Sequence, residues 1–275
     1  MTLMTLRKRS IQQAAAGRRD DDDSAQQAGT TRPTKKANTS MSVASKKTRG
    51  NGPHLSTLLK VYKGTEDWHM PIFRNVQKYL RRKQREHDHE SSLHTLYPGS
   101  SRHITASLVF DDVTYVDCDT KVRDFFKDDR VLAWVEDHKE CTASNNIRFL
   151  CNNFDNSLSL RLASFDLLIS ACAGIVSTPC AKYLKPGSGY LLVSDAHFDA
   201  REAFCNSLEF ELVAAIDMDG TVRDAPNDLE GHFTTANGTP LTRAQVEESK
   251  VKPKARRSFK LVKEGMFYLF RKKST

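Results

Sequence analysis

"SFDLLISACAGIVSTPCAKYLKPGSGYLLVSD", residues 164–195, decides the fold. Phe165–Ser170 and Tyr190–Ser194 are short and almost wholly apolar, without the alternation of a half-exposed strand. That is the pattern of strands buried on both faces of a sheet. Between them "AGIVSTPCAKYL" reads as helical and "KPGSG" as a turn. A strand, a helix and a second strand in this order form a parallel crossover unit.

The same alternation extends in both directions. Strands are expected upstream at Leu93–Tyr97, Val113–Asp117 and Ile147–Cys151, and downstream at Leu208–Ile216 and Phe267–Arg271. "TKVRDFFKDDRVLAWVEDHKE" presents Val122, Phe125, Phe126, Leu132 and Val135 on one helical face, and "FDAREAFCNS" follows the fifth strand. The expected architecture is α/β: a doubly wound, mostly parallel seven-stranded sheet with an antiparallel terminal hairpin. The stretch 217–257 is long and polar and reads as a loop joining the last two strands. Ahead of the sheet, Leu55, Leu58, Leu59 and Tyr62, then Ile72, Phe73, Val76 and Leu80, predict two helices separated by Gly64. Pro71 stands near the start of the second.

Charge divides the chain. Residues 1–90 carry 19 Lys/Arg against 9 Asp/Glu, residues 250–275 carry 10 against 1, and the stretch between is net acidic. Residues 1–53 are polar, with few large apolar side chains after Ile11, and predict a disordered basic tail. No aromatics interleave with these charges, so nucleic-acid contact is expected only through the basic tails, if at all. No apolar run is long enough for a membrane span. The reading is a cytoplasmic protein. Nuclear placement stands as one alternative and organellar placement, through the weakly transit-like "MTLMTLRKRSIQQAAAGRR", as another; the run Asp20–Asp23 counts against the second. Six scattered cysteines without a CxxC pair read as reduced thiols, neither disulfides nor a zinc site; no metal ligands are assigned. The domains are therefore 1–53 (tail), 54–90 (helices covering the site) and 91–275 (the sheet domain).

In an open α/β sheet ligands bind outside the carboxyl ends of the strands. There the sequence places Pro98-Gly99-Ser100-Ser101 after the first strand and Asp117, Cys118 and Asp119 after the second. Asn153 and Phe154 follow the third strand, Ser170 ends the fourth, and His197 follows the fifth. A carboxylate at the end of strand two can accept two hydrogen bonds from ribose hydroxyls, which favours Asp117; Asp119 suits the N-cap of the next helix. Asn153 can read an adenine edge with Phe154 against its face, or simply close a turn. His197 and His103 are the candidate general bases.

Residues 93–271 resemble a class I S-adenosylmethionine-dependent methyltransferase domain. "SFDLLISACAGIVSTPCAKYLKPGSGYLLVSD" resembles its fourth strand, helix and turn into the fifth. "VTYVDCD" resembles its second strand with the ribose-binding acid, and "MFYLFRKK" its last strand. "LYPGSSRHITASLVF" is similar to a variant first motif. The resemblance implies S-adenosylmethionine as cofactor, held by Tyr97, Gly99, Ser100, Asp117, Cys118, Asn153, Phe154 and Ser170, with a small-molecule or protein acceptor. It departs from the family where the glycine-rich first motif shrinks to Gly99 and Tyr97 stands near the place of an acid. The first helix must also be stunted. "SACAG" lacks the Asn/Asp-Pro-Pro-aromatic motif of base-amine methylation. A non-catalytic methyltransferase-like binding or scaffold protein is the rival reading; no oligomeric state is assigned.

Overall fold

The computed structural model describes residues 52–62, 67–86, 91–141 and 145–274. The expected tail lies outside these up to residue 51, and so does Gly64. Helices α1 (Pro53–Tyr62) and α2 (His69–Glu86) stand where their apolar spacing puts them. They bury Leu58, Ile72, Phe73, Val76 and Leu80. Pro71 lies in the first turn of α2, where a missing N–H breaks no helical bond.

Five parallel strands come next: β1 (His94–Pro98), β2 (Asp112–Asp117), β3 (Asn146–Cys151), β4 (Leu167–Ser170) and β5 (Tyr190–Ser194). They lie in the order β3-β2-β1-β4-β5, so the winding direction reverses between β1 and β4. β6 (Phe210–Ile216) does not pair with β5. The last strand, β8 (Phe267–Lys272), inserts between them, antiparallel to both. The antiparallel terminal pair is therefore present as expected, at the end of a mostly parallel, Rossmann-like sheet.

Side chains alternate across this sheet. Tyr97 of β1 and Leu192 of β5 join a core layer with α1 and α2. Leu96 of β1 and Leu191 and Val193 of β5 join a second layer on the opposite face. Covering both faces explains the continuously apolar strands. The first crossover helix, α3 (Ala106–Val109), has a single turn, as the short span before β2 required, and α6 (Ser177–Cys180), between β4 and β5, is equally short.

Three local expectations are corrected. The helical stretch after β2 is two helices, α4 (Thr120–Phe126) and α5 (Asp129–His138). The break arises because Asp128 caps the second, its carboxylate accepting the Arg130 N–H at 3.0 Å. The sheet has eight strands, not seven. Asp219-Gly220 turns the chain back after β6, Gly220 at φ +84°, so that β7 (Val222–Arg223) pairs with Ala215 and Ile216 at the edge.

The stretch 217–257, expected as a polar loop, contains the short helix α8 (Pro226–Leu229) and the nine-residue helix α9 (Arg243–Val251). Thr242 and Gln245 form a reciprocal capping box at the start of α9. Few apolar residues anchor the segment, but they are spaced to reach the core. Phe233, Leu241 and Val246 are all buried. Phe233 stacks on Phe204 of α7 (Asp199–Cys205) with ring centroids 4.6 Å apart.

Within this segment His232 is buried, its Nδ1 3.2 Å from the Tyr268 hydroxyl. Burial first, then the charge of Lys263, pushes its imidazole from the ordinary 6.5 down to about 4. The native state thus resists a proton that the unfolded chain accepts. Stability associated with the neutral ring is complete above about pH 6.5 and is lost as pH falls towards about 4. In thermal unfolding across this window, His232→Phe should lose less Tm on acidification than wild type. Equal acid sensitivity would place the responsible group elsewhere.

Candidate functional site

Parallel strands β1–β5 deliver their carboxyl ends to one rim, and the reversal between β1 and β4 opens the crevice position there. The chain leaves β1 in a tight turn. Gly99 has φ +62° and Ser101 φ +50°. The Gly99 N–H donates to the Val116 carbonyl at 2.7 Å, and His103 N–H to the Ser100 carbonyl at 3.0 Å. The turn is thereby stitched to the end of β2.

Asp117 faces this turn. One carboxylate oxygen accepts the Ser101 N–H at 3.0 Å, and the other accepts the Asp119 N–H at 2.9 Å. Asp117 therefore shares a rim with Gly99 and also orders the backbone around itself. Asp119 caps α4, accepting the Lys121 N–H at 2.8 Å, in keeping with its N-cap expectation. Cys118, between them, is exposed.

The other expected cofactor residues divide between the rim and the interior. Ser100 is buried, and its hydroxyl donates to the Ser101 carbonyl at 3.2 Å. Asn153 is exposed; its side-chain oxygen accepts the Asp155 N–H at 3.0 Å, so it closes a turn. Phe154 is half-buried and reaches across to β1: a Cβ added to Gly99 would lie 3.3 Å from its ring and 2.5 Å from the Cβ of Ala173. The crevice at Gly99 is closely lined by these two side chains. Ser170 is buried and donates to Asp199 at 2.6 Å. Asp199 also accepts Ser177 Oγ and the N–H groups of Val176 and Ser177. This carboxylate pins the segment after β4 to α7. Burial raises its carboxyl above the usual range, opposed by those hydrogen bonds.

Tyr97 turns away from the crevice into the core, 1% exposed. Its hydroxyl meets His103 Nδ1 at 2.8 Å. Burial holds the phenol well above its usual value, so it stays neutral. His103 Nε2 lies 2.8 Å from Asp67 Oδ2, and Asp67 Oδ1 lies 2.9 Å from His69 Nδ1. Thr105 donates to Asp67 and pairs with Tyr62. Burial alone would raise the Asp67 carboxyl, but hydrogen bonds and charge from His103 and His69 outweigh it and hold it well below the carboxylate range. His197, by contrast, is exposed in the turn after β5.

Asp67 and His69 were not assigned a role from sequence. Asp67 sits 36 residues from His103, and only the fold joins them. "DWH" just ahead of an amphipathic helix was the available signal, and it reads first as a helix cap: Asp67 accepts the His69 N–H at 3.0 Å.

No family model matches this chain, and no curated protein matches it. Solved structures do match. One is an arsenic(III) S-adenosylmethionine methyltransferase from Chlamydomonas reinhardtii, 21% identical over 37% of this chain and 38% of that one, TM-score 0.32. A second is the [4+2]-cyclase SpnF, 13% identical over 44% of each chain, TM-score 0.31. A third is magnesium protoporphyrin IX methyltransferase from Synechocystis PCC 6803 with bound S-adenosylmethionine, 12% identical over 64% of this chain and 88% of that one, TM-score 0.40. The match spans less than half the length of the first two. The fold assignment rests on strand order and register, not on likeness at this level.

Gly99 and Gly238 separate two costs of adding a methyl group. Both have positive φ, but nothing lies within 4 Å of a Cβ at Gly238. Gly99→Ala should destabilise the protein by about 1–3 kcal/mol more than Gly238→Ala in denaturant unfolding, the scale of overpacking. Equal losses would mean that Ala173 yields freely.

Proposed function

We propose that this protein transfers a methyl group from S-adenosylmethionine to a small-molecule or protein acceptor. The observation that carries the proposal is Asp117 on the same rim as the Gly99–Ser101 turn, with its carboxylate 3.0 Å from the Ser101 N–H. There the carboxylate can receive ribose hydroxyls through its remaining lone pairs while the turn approaches the aminoacyl end. Methyl transfer demands mainly alignment and exclusion of water, because the sulfonium is already activated. Of the eight expected cofactor residues, Gly99, Asp117, Cys118 and Phe154 line the rim. Tyr97 and Ser170 act from beneath it by holding His103 and Asp199. Where the acceptor must lose a proton, His197 is the base in this reading, since both ring nitrogens of His103 are engaged by Tyr97 and Asp67.

A non-catalytic binding or scaffold role is the second reading. The observation that favours it is the close lining of Gly99 by Ala173 and Phe154, which a nucleoside must displace. Calorimetric titration with S-adenosylhomocysteine distinguishes the two. Binding is expected, and Asp117→Ala should weaken it by about 1.5–3 kcal/mol, the scale of hydrogen bonds to a charged group. Asp117→Asn, which keeps an acceptor for the turn, should recover the fold more fully than the affinity. No heat of binding from a folded sample would leave the scaffold role standing.

A further inference from the structure

We infer that Asp67, His69 and His103 form a binding site for a first-row divalent transition metal ion of the zinc type. This inference is independent of the proposed methyl transfer. One ring nitrogen of His69, one of His103 and a carboxylate oxygen of Asp67 all lie within 4.8 Å of one another, and His69 Nδ1 and His103 Nε2 each lie within hydrogen-bond distance of the Asp67 carboxylate. Metal–ligand bonds of about 2.0–2.2 Å hold the donors of one ion about 3–3.5 Å apart, so a modest contraction closes the set. Two imidazoles and one carboxylate are borderline-to-hard donors, suited to Zn2+, Fe2+ or Co2+, not to Ca2+ or Mg2+, which prefer all-oxygen shells. Three protein ligands leave a coordination position for water or substrate, the composition of catalytic rather than structural sites.

The surroundings supply what such a site needs. Side-chain exposure is 6% at Asp67, 12% at His69 and 19% at His103, so the group is sheltered but not sealed. Ligating histidines are oriented by a partner on the far ring nitrogen. His103 has one: when Nε2 turns to a metal, Nδ1 carries the proton and donates to the Tyr97 hydroxyl 2.8 Å away. Burial keeps that phenol neutral and able to accept. Thr105 hydrogen-bonds to Asp67 and steadies the carboxylate in the same way. His69 is held by packing, its ring 3.7 Å from that of Trp68 and 6.0 Å from that of Phe267 between centroids. Both imidazoles bind as neutral rings, so ligation requires only that each proton move to the other nitrogen.

The test is calorimetric titration of the full chain with Zn2+, paired with Co2+ absorption spectra as a report on ligand type. One ion per chain is expected, with a Co2+ spectrum of nitrogen and oxygen ligands. His69→Gln and Asp67→Asn, checked for native circular dichroism and Tm, should each weaken Zn2+ binding by about a hundredfold or more. Tyr97→Phe, which removes only the positioning contact to His103, should cost about tenfold to a hundredfold. Two variants are used so that loss of folding in one leaves the other decisive. His87 and His89, a closely spaced pair in the sequence outside the described residues, serve as the control: His87→Ala/His89→Ala should bind as wild type does. The inference is overturned by any of four results: no binding to the folded chain, unchanged affinity in the folded Asp67 and His69 variants, loss of binding in the His87/His89 variant, or a thiolate-to-cobalt charge-transfer band, which would mark capture by the exposed Cys118 and Cys151.

Discussion

Insertion of β8 between β5 and β6 is the constraint on which the rest of the structure depends. The sheet is not continuous until residues 267–272 pair on both sides, from Ser194↔Phe267 to Phe210↔Lys272. Such pairing joins segments far apart in the chain, and its entropy cost is met only when both neighbours are in place. Each face of the inserted strand then fixes one neighbouring segment. Tyr268 receives Phe233 at 4.5 Å and the His232 imidazole, which anchors the segment between β6 and β8. Phe267, at the other face, meets Trp68 and His69 at 5.9 and 6.0 Å. The last strand thus sets the start of α2, and with it Asp67.

At the rim, order is achieved by carboxylates turned inward on the backbone. Asp117 holds the turn after β1 and the start of α4; Asp199 holds the segment after β4; Asp67 joins α2 to the β1 turn. Each offsets the desolvation of its charge with N–H, O–H or imidazole donors. A carboxylate satisfied in this way is preorganised, but a ligand must compete with, or add to, the contacts already made. Asp117, half-buried at the surface, keeps lone pairs free to add to them; Asp199, buried in the first turn of α7, does not.

Near β1 the protein places its chemistry unusually deep. Tyr97, expected from the sequence at the rim, instead sends its side chain into the core, where it touches His103. Tyr97 begins a polar chain, Tyr97–His103–Asp67–His69, running from the sheet interior to the start of α2. Buried networks of this kind are strongly specified because an unsatisfied member is costly.

By itself the sequence determined the α/β class, the seven principal strands, the two leading helices and the stunted first crossover helix. These arise from period, run length and residue chemistry, all of which act over a few positions. Asp117 at the rim and Asp119 as a cap were readable for the same reason. Local signals also held information that went unread, as with the Thr242/Gln245 capping box in a stretch that looks merely polar. Other features belonged to the tertiary structure alone. Which way Tyr97 points depends on the pleat and on what α2 packs against. The closeness of Ala173 and Phe154 to Gly99 depends on β4 lying beside β1. The meeting of Asp67, His69 and His103 requires the start of α2, packed on β8, to reach the turn after β1, and no spacing in the chain encodes a contact that exists only after the sheet has closed.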